Sequence, residues 1–169
     1  IEPSAVLVFR DEYPELATPA NKETMKELTN HVYTIDEFLA REMEHGRIEK
    51  GQFSLESRKI LLHGHCQQKA IASTEPTQYI LSFPENYDVE EIPSGCCGMA
   101  GSFGYEKEHY DVSMKIGELV LFPAVRKAKP DTIIVAPGTS CREQIFDGTS
   151  RKALHPVEVL YDALIMEYP

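Results

Sequence analysis

Thr132-Ile133-Ile134-Val135-Ala136-Pro137-Gly138-Thr139-Ser140-Cys141 decides how the chain is read. A β-branched, largely apolar run lies between Pro130-Asp131 and Pro137-Gly138, as suits a short strand buried on both faces of a parallel sheet. Cys141 comes just beyond its carboxyl end, the edge at which parallel α/β sheets bind ligands. Lys59-Ile60-Leu61-Leu62-His63 repeats the arrangement, stopping at Gly64-His65-Cys66, and Cys66 to Ala72 reads as the first turns of a following helix.

Working outward, Ala5-Val6-Leu7-Val8-Phe9 predicts another strand, and Gln78-Tyr79-Ile80-Leu81-Ser82 a further strand or the end of a crossover. Residues 10–21 and 47–57 read as connections, and the acidic stretch from Pro84 to Glu91 as a loop. Apolar spacing from Lys22 onward predicts helix, interrupted by the capping box Thr34-Ile35-Asp36-Glu37, so a second helix starts near Ile35 and ends at Gly46. A helix from Tyr105 places Val112, Ile116 and Leu119 on one face and is kinked or restarted at Pro123. Pro156 opens a last helix with the stripe Val157, Leu160, Tyr161, Leu164, Ile165 and Tyr168. Strands alternating with helices give an α/β fold: a parallel-type sheet with helices on both faces and the cysteines on loops at the carboxyl edge of the strands.

A chain of 169 residues with 42% apolar and 26% charged residues suits one globular domain. Its net charge of -10, with only 17 Lys and Arg, argues against nucleic acid or an anionic membrane surface as partner. No apolar stretch has the roughly 20 residues of a spanning helix, and no signal peptide is visible, so the chain reads as cytoplasmic. Beginning with Ile1, it also reads as a piece of a longer protein.

Ile92-Pro93-Ser94-Gly95-Cys96-Cys97-Gly98-Met99-Ala100-Gly101-Ser102-Phe103-Gly104 sets two adjacent thiols among glycines at every third position. Gly95 and Gly98 allow the backbone to approach a ligand closely and to offer N–H groups to it. With Cys66 and Cys141 beyond strands and Cys96-Cys97 before a helix, all three loops can meet at one sheet edge. Four thiolates there suit zinc or an iron–sulfur cluster, the free glycine N–H groups favouring the cluster; a disulfide set remains the alternative, with three possible pairings. His63 and His65 flank Gly64, and either can ligate or donate to a ligand. No Ser–His–acid set, phosphate loop or paired-carboxylate motif is present, and the glycine run is not a dinucleotide fingerprint.

Leu62-His63-Gly64-His65-Cys66, Pro93-Ser94-Gly95-Cys96-Cys97-Gly98-Met99-Ala100-Gly101 and Ser140-Cys141 together resemble the cysteine-rich CCG domain. That domain occurs in the B subunit of heterodisulfide reductase, in iron–sulfur subunits of glycolate and anaerobic glycerol-3-phosphate dehydrogenases, and in FAD-linked oxidases fused to ferredoxin-like modules. Gly98 to Glu106 and Ala153 to Glu158 bring the chain nearest the last group. The resemblance implies that residues 1–57 are the tail of a preceding repeat plus connecting helices, Ser4-Ala5 matching Ser140-Cys141, and that residues 58–169 are the second CCG domain. The family pattern ends in CxxC, whereas Cys141-Arg142-Glu143-Gln144 lacks the second thiol, so a four-ligand cluster of the [4Fe–4S] kind, or a site completed by the first repeat, is the expectation.

By the same resemblance, Cys66, Cys96, Cys97 and Cys141 would hold the metal, with Gly95, Gly98 and His65 against the cofactor. The chain would be the non-catalytic, electron-transferring part of a flavin-dependent 2-hydroxy-acid oxidoreductase of the D-lactate or glycolate kind. FAD would lie on a domain outside it, the partners would be flavin-binding and ferredoxin-like domains, and any contact with the inner membrane would be peripheral and through them. Two alternatives stand beside this: a zinc-stabilised docking module, and a thiol–disulfide reductase using the vicinal pair.

Overall fold

A computed structural model describes residues 1–165. Its sheet consists of β1 (Arg58–Leu62), β2 (Tyr87–Glu91), β3 (Ile133–Val135) and β4 (Ala153–Leu154), all neighbours parallel, in the order β2-β1-β3-β4. Among the described residues ten helices surround it: α1 (Pro3–Val6), α2 (Glu12–Leu16), α3 (Lys22–Thr29), α4 (Ile35–Glu44), α5 (Cys66–Ile71), α6 (Glu75–Leu81), α7 (Tyr110–Leu119), α8 (Leu121–Lys127), α9 (Thr139–Thr149) and α10 (Pro156–Ala163). The expected α/β class, with a covered parallel sheet, is what the chain adopts.

Both faces of the sheet are dry because the strand side chains alternate between them. Ile60, Leu62 and Val135 pack with Met43 of α4, Ile80 and Leu81 of α6, and Val159 and Leu160 of α10. Leu61 and Ile134 pack on the opposite face with Leu121, Phe122 and Val125 of α8 and with Cys141 and Ile145 of α9. Each such side chain contributes roughly 1.5–3 kcal/mol when fully buried. The chain moves from β1 outward to β2, then crosses back to β3 and β4, so its direction of travel reverses between β1 and β3. In open parallel sheets the crevice beyond the carboxyl ends at such a reversal is the ligand site.

Local chemistry fixes the helix ends. Thr34 Oγ1 accepts from the Glu37 N–H while Glu37 Oε2 accepts from the Thr34 N–H, and Gly46 at φ +68° lies just past the last turn of α4. Pro156 opens α10, and His155 Nδ1 accepts from the Val157 N–H. Residues 1–57 pack onto the rest: Glu2 Oε2 accepts from the Thr139 N–H, Ser54 N donates to Ala163 O, and α4 lies against α6.

Several expectations are corrected. Residues 5–9 are not a strand but the end of α1 followed by a 3-10 turn over Leu7–Phe9, because Pro3 opens a helical turn and only Leu7 of the run is fully buried. Gln78 to Leu81 belong to α6, while the acidic stretch taken for a loop supplies β2, an edge strand that half-buries only Tyr87, Val89 and Glu91. Short apolar runs fit a buried helix as well as a strand. The face of α7 is reversed: Val112 and Leu119 are exposed, whereas Ser113 and Gly117 are buried. Small residues are needed there because a Cβ on Gly117 would lie 2.3 Å from the Phe122 ring. α10 buries Val159, Leu160 and Ala163, leaves Tyr161 exposed and ends at Ala163, with Leu164 and Ile165 exposed beyond it; Tyr168 lies outside the described residues.

Candidate metal centre

Three strands each deliver a cysteine-bearing loop to the same edge. β1 ends at Leu62, the His63 N–H continues the ladder to Val135 O, and Cys66 is the first residue of α5. β2 ends at Glu91, the Ile92 N–H donates to Leu62 O, and Cys96-Cys97 follow four residues later. β3 ends at Val135, and Cys141 is the third residue of α9. The glycine run therefore does follow a strand, one whose acidic sequence conceals it.

The cysteine turn is held in an unusual conformation. Gly98 has φ +107°, Ala100 +42° and Gly101 +71°. The Gly98 N–H consequently points back at Cys96 Sγ, 3.3 Å away. Lys69 Nζ donates to Ser94 O at 2.7 Å and pairs with Glu91 at 3.2 Å, binding the turn to α5. Arg142 Nη1 donates to Ala136 O and Pro137 O, which fixes the loop before Cys141.

All four cysteines are free and come together. Cys66 lies near enough to Cys96, Cys96 to Cys97, and Cys97 to Cys141 for each thiol to perturb the next, so the sulfurs form one unbroken series. Cys97 and Cys141 are buried, while Cys66 and Cys96 are partly open to solvent. Protonation alternates along the series. The neighbouring Cys66 and Cys97 thiols, aided by the Gly98 and Ala100 N–H groups, hold the Cys96 thiol far below its ordinary value. Cys141 is lowered to about 5 by Cys97 and then His63, against burial. Cys66 and Cys97 are pushed up by their cysteine neighbours and by burial. A metal bound among the four sulfurs would displace their protons.

The donor set suits a sulfur-preferring centre. A ring nitrogen of His63, Cys97 Sγ and Cys141 Sγ all lie within 4.8 Å of one another, and the three residues are buried. His63 Nδ1 is 2.7 Å from Ser94 Oγ, and its Nε2 makes no sound hydrogen bond although it is near enough to Cys141 to help hold that thiol down. His65 sits beside this group: an added Cβ on Gly138 would lie 2.4 Å from its Cδ2 and 3.3 Å from Cys141 Sγ, and its Nε2 is 3.9 Å from Glu2 Oε1. Gly95 is exposed with open space where a Cβ would stand. Gln144, at the place of the missing second thiol, is buried and donates to Cys97 O and Ser113 Oγ. Ser94, Ser113 and Gln144 carry no sequence signal of their own. His63 does: it stands two residues after Leu61, and the alternation of β1 directs it to the face that holds Cys97 and Cys141.

No family model and no solved structure matches the chain. Among curated proteins it is similar to the C subunit of the anaerobic glycerol-3-phosphate dehydrogenase of Escherichia coli (strain K12), 29% identical over 162 residues. It is also similar to the D-2-hydroxyglutarate dehydrogenases of Escherichia coli (strain K12) and Haemophilus influenzae, 28% identical over 165 and 173 residues. These alignments take in 95%, 97% and 97% of this chain but only 39%, 15% and 16% of those proteins. The chain therefore spans about two-fifths of the first relative and less than a fifth of the others. These relatives are dehydrogenases, and no helix among the described residues is long and apolar enough to cross a membrane.

Proposed function

We propose that the chain is the iron–sulfur-carrying, electron-transferring portion of a larger flavin-dependent oxidoreductase acting on a 2-hydroxy acid of the D-lactate, glycolate or 2-hydroxyglutarate kind. The observation that carries this reading is the unbroken series of four cysteine sulfurs at the reversal point of a parallel sheet. Cys66, Cys96, Cys97 and Cys141 hold the centre; the Gly98 and Ala100 N–H groups offset negative charge on sulfur, and His65 lies against the buried side. A cluster bound there would supply one-electron transfer between a flavin and an acceptor. Burial of Cys97 and Cys141 keeps water from the inner half, while the open side of Cys66 and Cys96 faces the route by which electrons enter or leave.

The other assignments belong to the same reading. Residues 1–57 are the tail of a preceding repeat with its connecting helices, residues 58–169 are one cysteine-rich domain, and FAD sits on a flavin-binding partner domain. The protein works in the cytoplasm and meets the inner membrane only through partners. A thiol–disulfide role keeps one observation in its favour: Cys96 is partly exposed and its thiol is strongly lowered, as a nucleophile requires.

Anaerobic purification of the complete protein tests these readings. Iron and acid-labile sulfide with broad visible absorption are expected in wild type, with a loss of more than half of both in Cys97→Ser. A colourless protein with stoichiometric zinc would overturn the electron-transfer role. Loss of disulfide reduction in Cys97→Ser, with metal content unchanged, would establish thiol exchange instead.

A further inference from the structure

We propose that His63 is itself a ligand, binding through Nε2 beside Cys97 and Cys141, so that the centre has a mixed sulfur–nitrogen donor set. The inference rests on the metal reading above and deepens it. His63 is fully buried, and its position is fixed at both ends: the backbone N–H donates to Val135 O at 2.8 Å and Nδ1 meets Ser94 Oγ at 2.7 Å. Ser94 is rigid in turn, being 5% exposed with its own N–H on Ile92 O. In the tautomer whose Nδ1–H donates to the serine hydroxyl, Nε2 presents a bare lone pair toward the sulfurs.

That lone pair is the feature that needs an explanation. Nε2 is buried and no hydrogen bond of ordinary geometry satisfies it, while the ring stands with two buried sulfurs within 4.8 Å, Cys141 near enough to interact with it. An imidazole anchored through one nitrogen while the other is directed at thiolates is the arrangement of a metal-binding histidine. His65 has a different geometry, since its Nε2 faces Glu2 and its ring packs on Gly138. Counting His63, five donors meet at the site, one more than a single tetrahedral zinc takes, which favours a centre with more than one metal atom. A neutral imidazole in place of an anionic thiolate also lowers the negative charge on the centre and raises its reduction potential.

The test uses the complete protein labelled with ¹⁵N-histidine, purified anaerobically, reduced and examined by pulsed electron paramagnetic resonance. A strongly coupled nitrogen that changes from the ¹⁴N to the ¹⁵N pattern on labelling is expected. It should persist in His65→Gln and vanish in His63→Cys, which keeps its iron and sulfide and shows a lower midpoint potential. A cluster signal with no strongly coupled histidine nitrogen in labelled wild type overturns the inference without any variant and leaves the metal reading standing. Coupling that survives in His63→Cys also overturns it. Absence of iron and sulfide from wild type overturns both.

Discussion

Gly98 shapes the cysteine turn more than any other single residue. Its φ of +107° is open to glycine alone, and a Cβ there would lie 2.2 Å from Ser113 O, which is backbone and cannot step aside. Gly98→Ala should therefore cost about 2 kcal/mol or more, combining dihedral strain with displacement of α7. Because its N–H also serves Cys96 Sγ, iron content should fall by more than half. Gly95→Ala is the control: nothing lies within 4 Å of the added carbon, so stability should stay within about 0.5 kcal/mol and iron should be retained. Urea unfolding and iron assays on both variants check this, and equal iron retention would show that turn geometry does not hold the site. At this scale the sequence singled out the glycine turn and all four thiols, and the fold brings the four sulfurs into one series. Of the two histidines the sequence reading set His65 against the cofactor, whereas the structure sets His63 with Cys97 and Cys141; the choice depends on where β1 ends, since His63 still obeys the strand's alternation and His65 already caps α5.

Elements that announce their own ends were readable, and those defined by neighbours were not. α4 carries its start signal in four residues, and α10 opens on a proline; both begin where the sequence puts them. β2 has no such mark, since an edge strand needs only one half-buried face and Tyr87-Asp88-Val89-Glu90-Glu91 reads as a solvated loop until it pairs with β1. The reversed face of α7 is a packing decision: its backbone approaches Gly98 and the Phe122 ring, so small residues turn inward and valine and leucine outward. The capping box makes the local term measurable. Thr34→Ala removes the acceptor for the Glu37 N–H and should cost about 1 kcal/mol, or about 2–4 °C in Tm for a domain of this size, with Thr34→Ser restoring most of it. The loss should not be larger, because Glu37 remains bound to Arg10 and still accepts from the Thr34 N–H. A thermal melt that leaves Thr34→Ala at the wild-type Tm would mean that packing on α6 alone sets the start of α4.

Across the molecule, one buried polar line joins the helical layer to the helix that carries Cys66. Thr77 Oγ1 of α6 donates to Asp36 Oδ2 of α4 at 2.6 Å and accepts from Gln68 Nε2 of α5 at 2.9 Å. Asp36 is 2% exposed and its Oδ1 has no partner. Burial raises its pKa, outweighing the Thr77 bond and the nearby His155, whose own value is lowered chiefly by burial. The two groups act on stability in opposite directions. A buried carboxyl with a raised pKa keeps its proton in the fold longer than in the unfolded chain, so stability is lost as pH rises from about 3.8 through the folded value. A histidine with a lowered pKa resists protonation in the fold, so its contribution is present above about 6.5 and lost as pH falls below that. Asp36→Asn isolates the first effect, since asparagine can still accept from Thr77 but carries no charge to desolvate. The stability of Asp36→Asn minus that of wild type should therefore increase between pH 4 and pH 8. Urea unfolding at both pH values measures the difference, and the same pair of measurements on an Asp36→Asn protein that also lacks His155 separates out the part due to His155. A difference that stays flat or falls with pH would mean that the carboxylate is stabilised in place, and that the polar line ties the helices to the cysteine edge as a charged network rather than a neutral one.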